Sequence, residues 1–143
     1  CSSDLSAVPV TGAVVVSTPQ KVALADARKG IAMFQMDTIK VPVLGLVENM
    51  AWFTPSELPS NKYFIFGKDG CKNLAHELNV PLLGQIPLVQ GICEGGDSGR
   101  PVVLEEGSPA SDAMMLVAAN LAQQVAIRNA TIEPTKTVQA NAY

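Results

Sequence analysis

Residues 41–50 read VPVLGLVENM. The run over 43–47 is apolar throughout, broken only by Gly45, and it stops on Glu48, Asn49 and Met50. A short, almost continuous apolar run entered by a proline predicts a strand buried on both faces, the kind that parallel sheets use. Ligands of such sheets bind beyond the carboxyl ends of the strands, and Asn49 stands at that end. Its side chain has one acceptor and two donors, which match the edge of a nucleobase. The same side chain also suits a residue that only turns the chain as it leaves the strand.

The stretch has an echo. Residues 80–89, VPLLGQIPLV, share Val-Pro and then Leu-Gly with it. Each copy follows a helical pattern, so the two read as successive helix-to-strand units laid side by side. Their exits, at Asn49 and at Pro87-Leu88, are expected to be close in space. An amide beside a proline and an apolar side chain makes a slot for a purine, with hydrogen bonds at the edge and flat contact on the face. Upstream, residues 12–17, GAVVVS, form a further strand candidate rich in valine.

Helices fill the gaps. Thr18-Pro19 predicts an N-cap followed by proline at the first helical position, with the helix running to about Thr38. Ala23, Ala27, Gly30, Ile31 and Phe34 share one face of it, and Asp26, Arg28 and Lys29 read as solvated. A short helix opening at Asp69 or Gly70 places Cys71, Leu74, Ala75 and Leu78 on a core face. Cys71 is thus expected as a small buried hydrophobe, and His76 as exposed. Ser108-Pro109 starts a last helix, to about Asn129, with Ala113, Val117, Leu121 and Val125 as its seam, widened by Met114, Ala118 and Ala122. Residues 131–143 are polar and aperiodic and read as a flexible tail.

Two stretches are irregular. Residues 51–68, AWFTPSELPSNKYFIFGK, carry Pro55, Pro59 and an aromatic cluster of Trp52, Phe53, Tyr63, Phe64 and Phe66. They are too long for an ordinary connection. They fit either a contact surface or a loop folded over its own apolar cluster, with a short edge strand at 63–66. Residues 91–101, GICEGGDSGRP, read as a glycine-rich loop, and 101–104 as a short strand. Neither G-x-G-x-x-G after a strand nor G-x-x-x-x-G-K-[ST] occurs there, so this loop does not cradle phosphates in either way. Cys93, Glu94 and Asp97 lack the spacing of known metal sites.

Composition narrows the function classes. The chain has 143 residues, is 48% hydrophobic and carries a formal charge of -3. That suffices for one core. No basic stripe is present to neutralise phosphates, which excludes a nucleic-acid surface. No apolar run approaches about 18 residues, so no membrane-spanning helix is predicted. Cys1, Cys71 and Cys93 are an odd number without a close pair, which fits a reducing, cytoplasmic setting. With one histidine, triads and multi-histidine metal sites are excluded. Residues 1–10 are unpatterned, and 1–5, CSSDL, resemble a translated adapter, so that the natural protein is expected to continue upstream. The element order predicts an α/β class with a mainly parallel sheet, part of a nucleotide-type domain over 11–130.

The segments GAVVVSTPQKVALADARKGIAMF, VPVLGLVENMAWF, IFGKDG, VPLLGQIPLVQGI and GDSGRPVV together resemble the C-terminal half of the Mrp/ApbC family. These are iron–sulfur cluster carriers among the deviant-Walker P-loop ATPases, related to MinD and ParA. The resemblance covers roughly residues 11–123. It implies a P-loop NTPase sandwich, usually homodimeric, that binds ATP with Mg²⁺ and serves iron–sulfur recipient or scaffold proteins. It implies that Asn49 recognises adenine, that Pro87 and Leu88 lie against the base, and that Thr18 and Gln20 lie near the nucleotide and dimer face. No catalytic or metal-ligating residue carries over. The family's G-K-G-G-V-G-K-[ST] loop does not occur in these 143 residues. Without such amides and a lysine around the phosphates, the chain by itself is expected neither to hydrolyse ATP nor to bind it tightly. The C-x-x-C that holds a bridging [4Fe–4S] cluster in many members would fall at Pro55 and Leu58, neither of which is a ligand. A MinD-like switch that binds a protein partner without a cluster is therefore the alternative.

Overall fold

The computed structural model describes residues 8–55, 57–58 and 60–136. The reading of residues 1–5 as foreign, Pro59, and the tail beyond residue 136 lie outside the described residues. Three strands, β1 (Ala13–Ser17), β2 (Val43–Glu48) and β3 (Leu82–Gln85), form one parallel sheet in the order β1-β2-β3. Between them run α1 (Lys21–Gln35) and α2 (Gly70–Leu78), and after β3 come α3 (Gln90–Asp97) and α4 (Pro109–Thr131).

The central strand is the one whose sequence is most nearly unbroken. From Leu44 to Glu48 every residue of β2 is buried, because helices cover both faces. On one face Leu46 packs with Ala27 and Ile31 of α1 and with Leu74 and Ala75 of α2. Neighbouring strand positions point to opposite faces. Gln85 aligns with Glu48 toward α2, whereas Gly84 aligns with Val47 and meets Val117 of α4. The fold is therefore a helix–sheet–helix sandwich.

The two echoed glycines have a packing reason. A Cβ on Gly45 would stand 2.5 Å from Leu83 Cγ and 2.9 Å from the Pro81 carbonyl oxygen. One on Gly84 would stand 2.6 Å from Val117 Cγ2. Gly45 lets β3 close on β2, and Gly84 lets α4 lie on the sheet. Gly45→Ala is expected to cost about 1–3 kcal/mol, because a backbone oxygen cannot move aside as a side chain can. A urea midpoint equal to that of the parent chain would show that the close approach is not needed.

Several local expectations change. The cap of α1 is Gln20, without a side-chain cap bond, and not Thr18. Thr18-Pro19 stays outside the helix because tertiary contacts hold it. A Cβ on Gly70 would stand 2.5 Å from the Pro19 oxygen, so the loop before α2 presses on this segment. The first helix stops at Gln35 rather than Thr38, giving way to turns that close through Lys40, which has φ 47°. The edge strand at 63–66 reduces to one bridged pair, Phe53 with Tyr63, followed by a turn from Phe64 to Gly67. The glycine-rich loop is largely helix: α3 uses Gly95 where a Cβ would stand 2.6 Å from the Arg100 oxygen. The strand at 101–104 is a 3₁₀ turn over Val102–Leu104.

The last helix starts as its sequence predicts. Ser108 Oγ accepts from the Ser111 N–H at 3.1 Å, and Pro109 takes the first turn. Its seam is half-buried at Ala113, Val117, Leu121 and Val125, but Ala118 and Ala122 face out. Asn120 takes an inward place instead and donates to the Leu83 carbonyl at 2.7 Å. In its last turn Arg128 is buried and donates to the Ile132 and Glu133 carbonyls and to Thr135 Oγ1. These bonds fold 132–135 back against α4.

Candidate functional site

Three strand exits meet at Asn49. Its N–H donates to the Ser17 carbonyl at 2.8 Å, which ties it to the end of β1. On the other side the Ile86 N–H donates to the Glu48 carbonyl at 2.8 Å, and the Ala51 N–H to the Ile86 carbonyl at 3.0 Å. The parallel ladder thus continues past the named strands, and Leu88 N–H donates to the Trp52 carbonyl at 2.7 Å. Phe53 is bridged to Leu88 and to Tyr63, so the excursion grows out of the same sheet end.

The Asn49 side chain is half-buried, and its Oδ1 accepts from the Met50 N–H at 2.9 Å. That bond turns the chain and also fixes the amide plane. Oδ1 keeps a second lone pair, and among the described residues no group accepts from Nδ2, so one acceptor and two donors stay available. Met50 has φ 54°, an uncommon conformation for a residue with a side chain. Such conformations are held by their surroundings and gather at ligand sites.

Asn49 also lines an open groove of about 590 Å³ between β1 and α1, with Val16, Ser17, Thr18, Ala27 and Phe34. Thr18 is half-buried and donates to Gln20 Oε1 at 3.2 Å, while Gln20 is exposed. Pro87 is fully buried and so stiffens the exit from beneath, whereas Leu88 is half-buried. The exits of all three strands are thus together, but Pro87 shows no face to solvent. β1 is an edge strand with Val16 59% exposed. A parallel strand normally has both neighbours and both faces covered.

Glu48 was missed by sequence reasoning. It is 0% exposed. Its Oε2 accepts from the Cys71 N–H at 2.6 Å, and its Oε1 from Gln85 Nε2 at 2.7 Å. The available signal was a carboxylate continuing a strand that is otherwise apolar. Cys71 is buried as expected, with its Sγ 3.6 Å from the Ser17 carbonyl. Burial, and then the negative charge of Glu48, push its thiol pKa from the ordinary 9.0 up to about 12.

Because the folded thiol keeps its proton above the pH at which an unfolded one loses it, its contribution to stability is complete below about pH 9 and declines from there toward pH 12. Alkylation at pH 8, mapped by mass spectrometry, is expected to label exposed Cys93 in the native protein and Cys71 only on unfolding. Labelling of both at one rate would contradict the buried position.

Pro55 is half-buried and Leu58 is 49% exposed, and neither presents a ligand atom. Residues at these positions do not fit a cluster held by paired thiolates. Among the described residues no three His, Cys, Asp or Glu side chains are grouped as metal ligands. Tyr63, Phe64 and Ile65 of the excursion are exposed, and Lys62 Nζ lies 3.9 Å from the centre of the Trp52 ring. The excursion therefore shows apolar surface while Trp52 stays half-buried. Among the described residues no helix is long and apolar enough to cross a membrane.

A family model described as "ParA: NUBPL iron-transfer P-loop NTPase" matches residues 3–123. An iron–sulfur cluster carrier protein of Synechocystis sp. is 48% identical over 84% of this chain and 34% of that protein. The Arabidopsis thaliana iron–sulfur protein required for NADH dehydrogenase, mitochondrial, is 49% identical over 78% of this chain and 35% of its own length. The chain thus spans about a third of the relatives it matches. Among solved structures, a nucleotide-binding protein of Archaeoglobus fulgidus in complex with ADP matches 70% of this chain and 39% of its own, at 34% identity and TM-score 0.56. The cell-division ATPase MinD of Pyrococcus furiosus matches 79% of this chain and 43% of its own, at 22% identity and TM-score 0.59, which is a likeness of fold.

Proposed function

The chain belongs to the NUBPL-type iron-transfer P-loop NTPases of the ParA group, and from that premise we propose that it is the base-recognising part of an ATP-binding iron–sulfur cluster carrier. The observation that carries this reading is the convergence of the three strand exits on Asn49, whose amide keeps an acceptor and two donors available. In this reading the amide meets the adenine edge. Leu88 supplies apolar contact and Pro87 holds that exit rigid. Thr18 and Gln20, in the entry to α1, lie toward the nucleotide and the dimer face.

The phosphates and Mg²⁺ belong beyond the open edge of β1, in the part of the carrier that supplies the phosphate loop. The whole protein then acts as a homodimer in a reducing compartment such as the cytoplasm. An ATP-driven change in the dimer governs loading or release of a [4Fe–4S] cargo, which passes to recipient or scaffold proteins. The ADP-bound structure of a 34% identical protein supports the nucleotide part of this reading. The carrier names of the relatives support the cargo.

Asn49→Ala in the whole protein tests the base. Loss of a paired amide at a base edge is expected to weaken ATP binding roughly tenfold to a hundredfold. It should also erase the preference for ATP over GTP. Competition titration reads both, and an unchanged preference would leave Asn49 as a turn residue only.

Pro55 and Leu58 favour a second reading, a MinD-like switch that binds a protein partner and carries no cluster. Iron content and visible absorbance of the whole protein, purified without oxygen, separate the two. Iron at background favours the switch, and bound iron with a broad visible absorbance favours the carrier.

A further inference from the structure

We infer that Glu48 is a positioning residue: it locks the three strand exits together and so fixes Asn49 in front of the nucleotide base. The role at the base rests on the nucleotide reading above, whereas the locking rests on geometry alone.

Both carboxylate oxygens are committed. One accepts from Cys71 N–H, in the first turn of α2, at 2.6 Å. Amides there have no partner within their own helix, and they favour a negative group. The other accepts from Gln85 Nε2 on β3 at 2.7 Å, and the same amide reaches Asp69 Oδ1 at 3.3 Å. Cys71 Sγ in turn lies 3.6 Å from the Ser17 carbonyl and 3.8 Å from that of Thr18. A continuous line of polar contacts therefore runs from the exit of β1, through α2 and Glu48, to the exit of β3. The backbone of Glu48-Asn49 is gripped at the same level, by Ser17 on one side and Ile86 on the other.

A carboxylate is a costly choice for this place. Its neighbours along β2 are Leu46 and Val47, and an apolar side chain of similar size would avoid the desolvation of a charged group. What an apolar side chain cannot do is satisfy a helix amide and a glutamine amide at once. Removing the carboxylate leaves the buried Cys71 N–H without a partner and Gln85 Nε2 with only its 3.3 Å contact to Asp69, and the cheapest relief is for the exits to separate. Asn49 is the residue such a separation would move, because its own N–H spans the join between β1 and β2.

Glu48→Met and Glu48→Gln in the whole protein test this. The glutamine variant keeps an acceptor for Cys71 N–H, and a rotation of the Gln85 amide restores their pair. Glu48→Met is expected to raise hydrogen exchange in peptides spanning 48–53 and 84–88, but not in one covering the middle of α1. It should also reduce the preference for ATP over GTP about fivefold to tenfold. Glu48→Gln should recover most of both effects, which a merely space-filling role would not require.

A folded Glu48→Met protein with unchanged exchange at 48–53 overturns the positioning role. If that variant does not fold, Gln85→Met removes one leg of the lock and is read in the same way. An unchanged preference for ATP over GTP in Asn49→Ala itself would instead sink the nucleotide reading, leaving the exchange result to decide the role of Glu48.

Discussion

Leu46→Ala lowers the stability of this chain by about 3–5 kcal/mol. Leu46 is 0% exposed at the middle of the central strand. It touches the one face on which Ala27, Ile31, Leu74, Ala75 and Val80 gather. The helices around it are pinned by their own packing on the sheet, so the cavity cannot close, and the cost approaches the upper part of the range for leucine truncation. For a domain whose total stability is about 5–15 kcal/mol, this is a large share. Urea unfolding followed by circular dichroism is the measurement. A midpoint shift with unchanged slope is the expected form. A loss under about 1 kcal/mol would mean that the contact is not tightly packed, which the burial denies.

The second large effect concerns ATP. The 143-residue chain by itself is expected to bind ATP more weakly than about 1 mM, and on the proposed reading the whole protein is expected to bind it roughly a thousandfold more tightly or better. The reason is the division of labour at a P-loop site. Backbone amides and a lysine around the phosphates, together with Mg²⁺, supply most of the attraction. On the proposed reading these residues supply an amide and an apolar contact at the base, which act once the phosphates are held. Titration of a fluorescent ATP analogue into the chain, and into the whole protein, reads the difference. Micromolar affinity in the chain alone would contradict it and would place a phosphate site within these residues.

The repeated Val-Pro…Leu-Gly stretches were legible because a buried parallel strand has little choice of residue, and both fall on strands of the sheet. Ser108-Pro109 was legible because a cap is a local event, made within four residues. Thr18-Pro19 carried the same local signal and lost, because the turn before α2 and the buried Cys71 hold that segment outside the helix. The glycines of α3 suggested a loop, since glycine usually costs a helix stability. There the backbone at Arg100 comes too close for a Cβ on Gly95. Asn49 could be singled out by its position at a strand end. Its freedom to meet a ligand depends on the single bond that Met50 N–H makes to it.

The pattern of residues by itself determined the class of fold, the order of most elements, the buried thiol of Cys71 and the resemblance that names the family. Those follow from periodicity, caps and short sequence segments, each of which is set within the chain's own local order. Tertiary structure alone decided that Glu48 is sealed between α2 and β3, that Pro87 is buried while Leu88 is not, and that Thr18 stays outside its helix. Each of these depends on groups far apart in the chain, 23 residues between Glu48 and Cys71 and 37 between Glu48 and Gln85. Whether a polar side chain is a solvated strand end or the tie between three strands is set by what packs beside it, and no local spacing encodes that neighbour.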